Sequence, residues 1–142
     1  MKAFFHPSQN RHRPLTYLTR GKMRPPQEIP ERTPELLTGL ENVGMQVAEP
    51  VDHGMAPIGA VHDLGYLRFL ESAHRRWPED WGEEVMSNIF VRAPNHMHGI
   101  LAECARYQAD GSCPIGEGTW EAAYWSAQSA LSGADELLGG EQ

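Results

Sequence analysis

Cysteine is nearly missing from this sequence: Cys104 and Cys113 are the two among 142 residues. Two thiols are too few for a disulfide framework, so reduced thiols in a cytoplasmic setting are expected. Long apolar runs are missing as well. No stretch approaches the roughly 18–20 apolar residues needed to span a bilayer, and the opening MKAFFHPSQNRHR lacks a signal-peptide apolar region and meets Pro7 at once. No phosphate loop, dinucleotide fingerprint, H-E-x-x-H or G-x-S-x-G occurs. Acid is absent from residues 2–24, which hold Lys2, Arg11, Arg13, Arg20, Lys22 and Arg24. Base is scarce at the other end, where Arg106 faces Glu103, Asp110, Glu117, Glu121, Asp135, Glu136 and Glu141. A net charge of -7 argues against a dedicated nucleic-acid binder. The basic arm suits either an anionic partner or a solvated loop.

What is present fits one domain with long loops, for which 11 prolines and 14 glycines are ample. Lys2–His6 reads as a buried strand ending at Pro7. Residues 7–30 carry five prolines and no period, and read as loop. Glu31–Val43 reads as a helix: Pro34 is tolerable in its first turn, and Leu36, Leu37, Leu40 and Val43 fall on one stripe. Asn42 or Gly44 ends it. Met45–Ala48 is then a short strand, and strand–helix–strand predicts a βαβ unit with a parallel sheet.

Pro57–Val61 reads as a short helical turn, and residues 64–77 as a stronger helix with Tyr66, Leu67, Leu70, Ala73 and Trp77 on one side. Residues 78–117 lack a clear period; Ile89–Val91 is a strand candidate, and Met97–Tyr107 a short helix or ordered loop. Trp120–Leu138 reads as the last helix, capped by Thr119 and ended by Gly139 and Gly140. Ala123, Ala127, Ala130 and Ala134 make a flat face on it for close packing.

Two constellations invite chemistry. His62–Asp63 stands at the mouth of an apolar run. A catalytic pair must converge on a reacting atom, whereas adjacent residues diverge, and Asp63 sits where a helix cap belongs. His96-x-His98 has metal-like spacing, since alternate residues of a strand share a side. With Cys104 or Cys113 it would give a small zinc module, although C-x8-C is not a zinc-knuckle spacing. The competing reading is a loop with surface or site-rim histidines.

Four segments taken together resemble the N-terminal part of the arginase–deacetylase superfamily, in particular the acetylpolyamine amidohydrolase branch of the histone-deacetylase-like enzymes. They are MKAFFHPSQN at the start, GKMRPPQEIPER at 21–32, HGMAPIGAVHDLGYLRFLE at 53–71 and GTWEAAYWSAQSALSGAD at 118–135. The fold this implies is α/β, the N-terminal portion of an arginase–deacetylase fold. Its parallel strands are flanked by helices in a single partial domain over 1–142.

The resemblance also implies zinc-dependent hydrolysis of an amide in the parent enzymes, where two aspartates and a histidine hold the metal and a tandem His-His moves protons. This sequence has no His-His, Asp-x-His or Gly-Gly-Tyr. No catalytic residue, metal ligand or bound zinc is therefore expected in this chain alone.

Peripheral roles do carry over as implications. Pro25 and Pro26 match a wall of the substrate entrance, and Arg32 an arginine of an internal channel. Residues 86–116 match an insertion for dimer and tunnel, in which His98 and Asp110 stand near acidic substrate-entrance positions. A homodimer, and an acetylated polyamine or acetyl-lysine as the parent substrate, follow from the same resemblance. The rival reading is a non-catalytic, dimerising interaction or scaffold module.

Overall fold

The computed structural model describes residues 2–89 and 98–139. Strand β1 (Lys2–Phe4) pairs in parallel with β4 (Gln46–Ala48), in the register Lys2↔Gln46, Ala3↔Val47, Phe4↔Ala48. Helix α1 (Arg32–Asn42) joins them and packs against β4. This is the expected strand–helix–strand unit. Gly44, at φ 72°, lets the chain leave α1: its N–H donates to the Glu41 carbonyl and that of Met45 to the Leu40 carbonyl. Of the predicted leucine stripe, Leu37 and Leu40 are half-buried, whereas Leu36 and Val43 are exposed.

The stretch read as loop over 7–30 contains three elements. Pro7–Arg11 is a 3₁₀ turn. The His6 ring accepts from Ser8 N–H at 3.1 Å, and the Gln9 side chain accepts from His6 N–H at 2.8 Å, which caps it reciprocally. Strands β2 (Tyr17–Thr19) and β3 (Lys22–Arg24) form an antiparallel hairpin. The hairpin turns on Arg20 and Gly21, at φ 50° and 72°. Two consecutive positive φ values match the right-handed twist of the strands they join.

Helices α2 (Ala56–Val61) and α3 (Leu64–Arg76) stand close to their expected bounds. α3, α4 (Ile100–Tyr107) and a bridge between Val85 and Ile115 enclose the core of Phe69, Ala73, Val85, Cys104 and Ile115. Phe69 is 1% exposed and lies beside the predicted apolar stripe rather than on it. Gln108, also buried, ties the core's edge together. Its amide accepts from Ser87 N–H at 3.2 Å and donates to the carbonyls of Val85 (2.9 Å) and Cys113 (3.3 Å). The Ile89–Val91 strand candidate lies mostly outside the described residues, as does His96.

Helix α5 (Thr119–Gly139) packs on β1 and on the Pro7–Arg11 turn. Its inward face is Ala122, Gln128 and Ser132, not the alanine stripe; Ala123, Ala130 and Ala134 are exposed and Ala127 half-buried. Polar partners decide this orientation. Gln128, 0% exposed, accepts from His53 N–H (2.8 Å) and donates to the Gly54 carbonyl (3.2 Å), while Ser132 Oγ accepts from Val51 N–H (2.9 Å). Trp125 lies flat on the His6 ring, with centroids 3.7 Å apart. Thr119 is the helix's first residue rather than its cap. Its hydroxyl turns back to accept from Gly116 N–H at 2.9 Å. No helix among the described residues is long and apolar enough to cross a membrane.

Candidate functional site

A groove of about 310 Å³ opens where three loops meet: His12–Pro14 with Tyr17, Pro26–Glu28, and Ser112–Pro114. Its far wall is a tight turn pinned to the hairpin. Asp110 Oδ1 accepts from Ser112 N–H at 2.7 Å, and the Cys113 thiol donates to the same carboxylate at 3.8 Å. Ser112 Oγ donates to the Leu18 carbonyl (2.7 Å), and Leu18 N–H donates to the Gly111 carbonyl (2.9 Å). Gly111 is buried against Leu18, where a Cβ would come within 3.0 Å of the Leu18 Cβ. The hairpin and the 110–113 turn are therefore one unit.

The floor of the groove is His12. Its Nδ1 shares a 2.8 Å hydrogen bond with Thr119 Oγ1. Burial lowers its pKa, against the opposing pull of Glu84 and Glu28, so the ring is neutral at pH 7. At the mouth, Glu28 forms an ion pair of 2.7 Å with Arg32, the first residue of α1. Burial is also the largest cause holding the exposed Cys113 thiol above its ordinary range.

The predicted residues divide between this groove and other places. Pro26 lines it, and Asp110 stands behind it as the organiser of the Ser112–Cys113 wall. Pro25 is exposed beside Pro26 and outside the lining. Arg32 lines a second groove of about 370 Å³ between β1 and α1, with Phe4, Phe5 and Leu36. Glu28 and His12 belong to both grooves. His98 is exposed, two residues before α4, and lines neither groove. His12, Tyr17 and Glu28 were not among the expected site residues. The signal that could have found them is the length of 7–30, since a structureless loop that long is unusual inside a compact domain.

His62 and Asp63 do not converge. Asp63 Oδ1 accepts from Tyr66 N–H at 2.9 Å, the cap bond of α3, and that bond is the leading cause of its lowered pKa. The His62 ring instead lies 6.0 Å from that of Tyr66. Among the described residues, no group of three or more His, Cys, Asp or Glu side chains is placed to hold a metal ion.

No family model matches the chain. It is 59% identical over 143 residues to the acetylpolyamine amidohydrolase of Burkholderia pseudomallei, covering 99% of this chain and 42% of that protein. It is 33% identical to the acetylpolyamine amidohydrolase of Mycoplana ramosa, covering 100% of this chain and 43% of the other. Acetylpolyamine amidohydrolase 1 of Pseudomonas aeruginosa is 34% identical, with 87% and 38% covered. A crystal structure of the Burkholderia pseudomallei acetylpolyamine aminohydrolase superposes with a TM-score of 0.95 over 99% of this chain and 42% of its own. The chain thus spans about two fifths of the length of the curated relatives it matches. With identity this high over nearly every residue, and a fold that superposes throughout, the chain is a homologue of the acetylpolyamine amidohydrolases and carries the N-terminal part of their arginase–deacetylase fold.

Proposed function

We propose that this chain forms the entrance side of a zinc-dependent amide hydrolase that removes acetyl groups from acetylated polyamines or acetyl-lysine. The observation that carries the reading is the 59% identity to an acetylpolyamine amidohydrolase over 99% of the chain. The groove between Pro26 and Ser112–Pro114 supports it, because it joins the two segments expected to frame a substrate entrance. In this reading Pro25 and Pro26 form one wall and Asp110 shapes the other. His98 stands on the rim, and Arg32 serves an internal channel through the second groove. Residues 86–116 narrow the approach and contribute to a homodimer, and the protein works in the reducing cytoplasm.

The residues present do not fit zinc. The sequence has no His-His and no Asp-x-His, and the described residues offer no three-donor cluster. Metal and proton-transfer groups therefore belong to parts of the family fold outside these 142 residues, and no chemical step is assigned to this chain. The expectation is that the purified chain, with or without added zinc, releases no acetate from an acetylated diamine or an acetyl-lysine peptide. Zinc-dependent release by the chain alone would overturn the reading.

A non-catalytic dimerising module is the second reading, favoured by the outward alanines of α5. It requires a folded multimer that persists in a metal chelator. A chelator-independent monomer in sedimentation would count against it.

A further inference from the structure

The last three charges of the basic arm, Arg20, Lys22 and Arg24, stand on the β2–β3 hairpin. The register Tyr17↔Arg24 and Thr19↔Lys22 puts those four residues on one face, because opposed residues of an antiparallel pair share a side and so do alternate residues of a strand. Leu18 and Met23 take the other face. Tyr17 lines the groove, so its face is the one that borders the opening. Lys22 and Arg24 are exposed there, and Arg20 is exposed at the turn. None of the three makes an ion pair among the described residues.

The carboxylates around the groove are engaged elsewhere. Glu28 pairs with Arg32 at 2.7 Å and Glu31 with Arg13 at 3.0 Å. Glu84 accepts from the amides of Leu15 (3.0 Å) and Thr16 (3.4 Å), and Asp110 from that of Ser112 (2.7 Å). The rim is thus locally cationic on a chain of net charge -7. Unpaired Lys and Arg side chains are rarely buried, so this face stays in water and meets whatever approaches the groove. A free acetylated polyamine keeps its other ammonium groups and is repelled here, whereas carboxylates flanking an acetylated lysine are attracted. A long polyanion would also run over the acidic remainder of the molecule, beyond the roughly 8 Å that the rim's field reaches in physiological salt. We propose that the Lys22–Arg24 face of the hairpin recognises an acidic polypeptide, so that the groove receives an acetyl-lysine within an acidic segment rather than a free acetylated polyamine. The proposal rests on the function proposed above, whose failure has its own signature.

The test is fluorescence anisotropy of the purified chain with a labelled peptide that holds one acetyl-lysine between glutamates, beside counterparts flanked by serines and by lysines. The glutamate-flanked peptide is expected to bind about tenfold tighter than the serine-flanked one. It should weaken as salt is raised and resist competition by N-acetylputrescine. Lys22→Glu/Arg24→Glu should reverse the order, so that the lysine-flanked peptide binds best, a gain that misfolding cannot produce. Arg68→Glu, exposed on α3, leaves the order unchanged. Tightest binding of the lysine-flanked peptide to the parent chain would overturn the proposal, as would no measurable binding of the glutamate-flanked one. So would its displacement by equal N-acetylputrescine or single-stranded oligonucleotide, or an order indifferent to the double substitution. An order that follows Lys22 and Arg24 but is the same for lysine and acetyl-lysine upholds the acidic-partner face and sinks the amidohydrolase reading.

Discussion

Asp63 is a carboxylate that caps α3, accepting from Tyr66 N–H at 2.9 Å and from the Tyr107 hydroxyl at 3.3 Å. Accepting from Tyr66 holds its pKa below the ordinary range. A depressed carboxylate pKa contributes stability above the unfolded-state value of about 3.9 and loses it as pH falls through the folded value. Asp63→Ala should therefore lower the melting temperature at pH 7, and Asp63→Asn less, since asparagine also caps. The gap between Asp63→Ala and the parent should close in thermal melts at strongly acid pH. Phe69 is a different kind of residue: removing its ring leaves a cavity among Ala73, Val85, Cys104 and Ile115. Phe69→Ala should cost about 3–5 kcal/mol in urea unfolding. The two thiols should separate by access. Burial pushes Cys104 up to about 11, so a disulfide reagent at pH 8 should titrate Cys113 alone, and both only after unfolding. Two fast-reacting thiols in the native protein would contradict the packing of α4.

Among the elements, α3 was legible because cap, period and stop agree: Asp63 before it, an apolar face at helical spacing, Pro78 after it. α5 was legible as a helix but not in its orientation. Alanines suggested the packed face, whereas buried Gln128 and Ser132 define it by satisfying backbone groups of 51–54, and sequence spacing does not reveal which backbone a glutamine will meet. The β2–β3 hairpin was missed for a similar reason. Its turn is Arg-Gly rather than the stronger Asn-Gly, and the prolines around it read as loop. As a result the half of the groove built on Tyr17 went unpredicted, although Pro26, which also lines it, was named. Gly118 shows how closely these elements fit, for a Cβ there would collide with the Arg11 carbonyl. Gly118→Ala should destabilise by about 1–3 kcal/mol, with loss of the near-UV signal of Trp125 as the 3₁₀ turn lifts from α5. Gln108→Leu, which takes the partner of the buried Ser87 N–H and one of the two donors of the Val85 carbonyl, should cost about 1–3 kcal/mol in the same assay.

At the scale of the whole molecule, two bodies of contact stand out. One is the apolar core between α3 and α4; the other is the polar seam along α5. The seam has a kinetic consequence. Residues 51–54 belong to no helix or strand, yet the amides of Val51 and His53 donate to side chains of a helix that must itself open before they are released. In deuterium-labelling experiments they should exchange in step with the middle of α5, far more slowly than the amides of the hairpin tip at Arg20–Gly21. A coil segment would then report on the global opening of the protein. The same seam makes 51–54 a poor place for a protease to cut, and directs nicking to the tip instead.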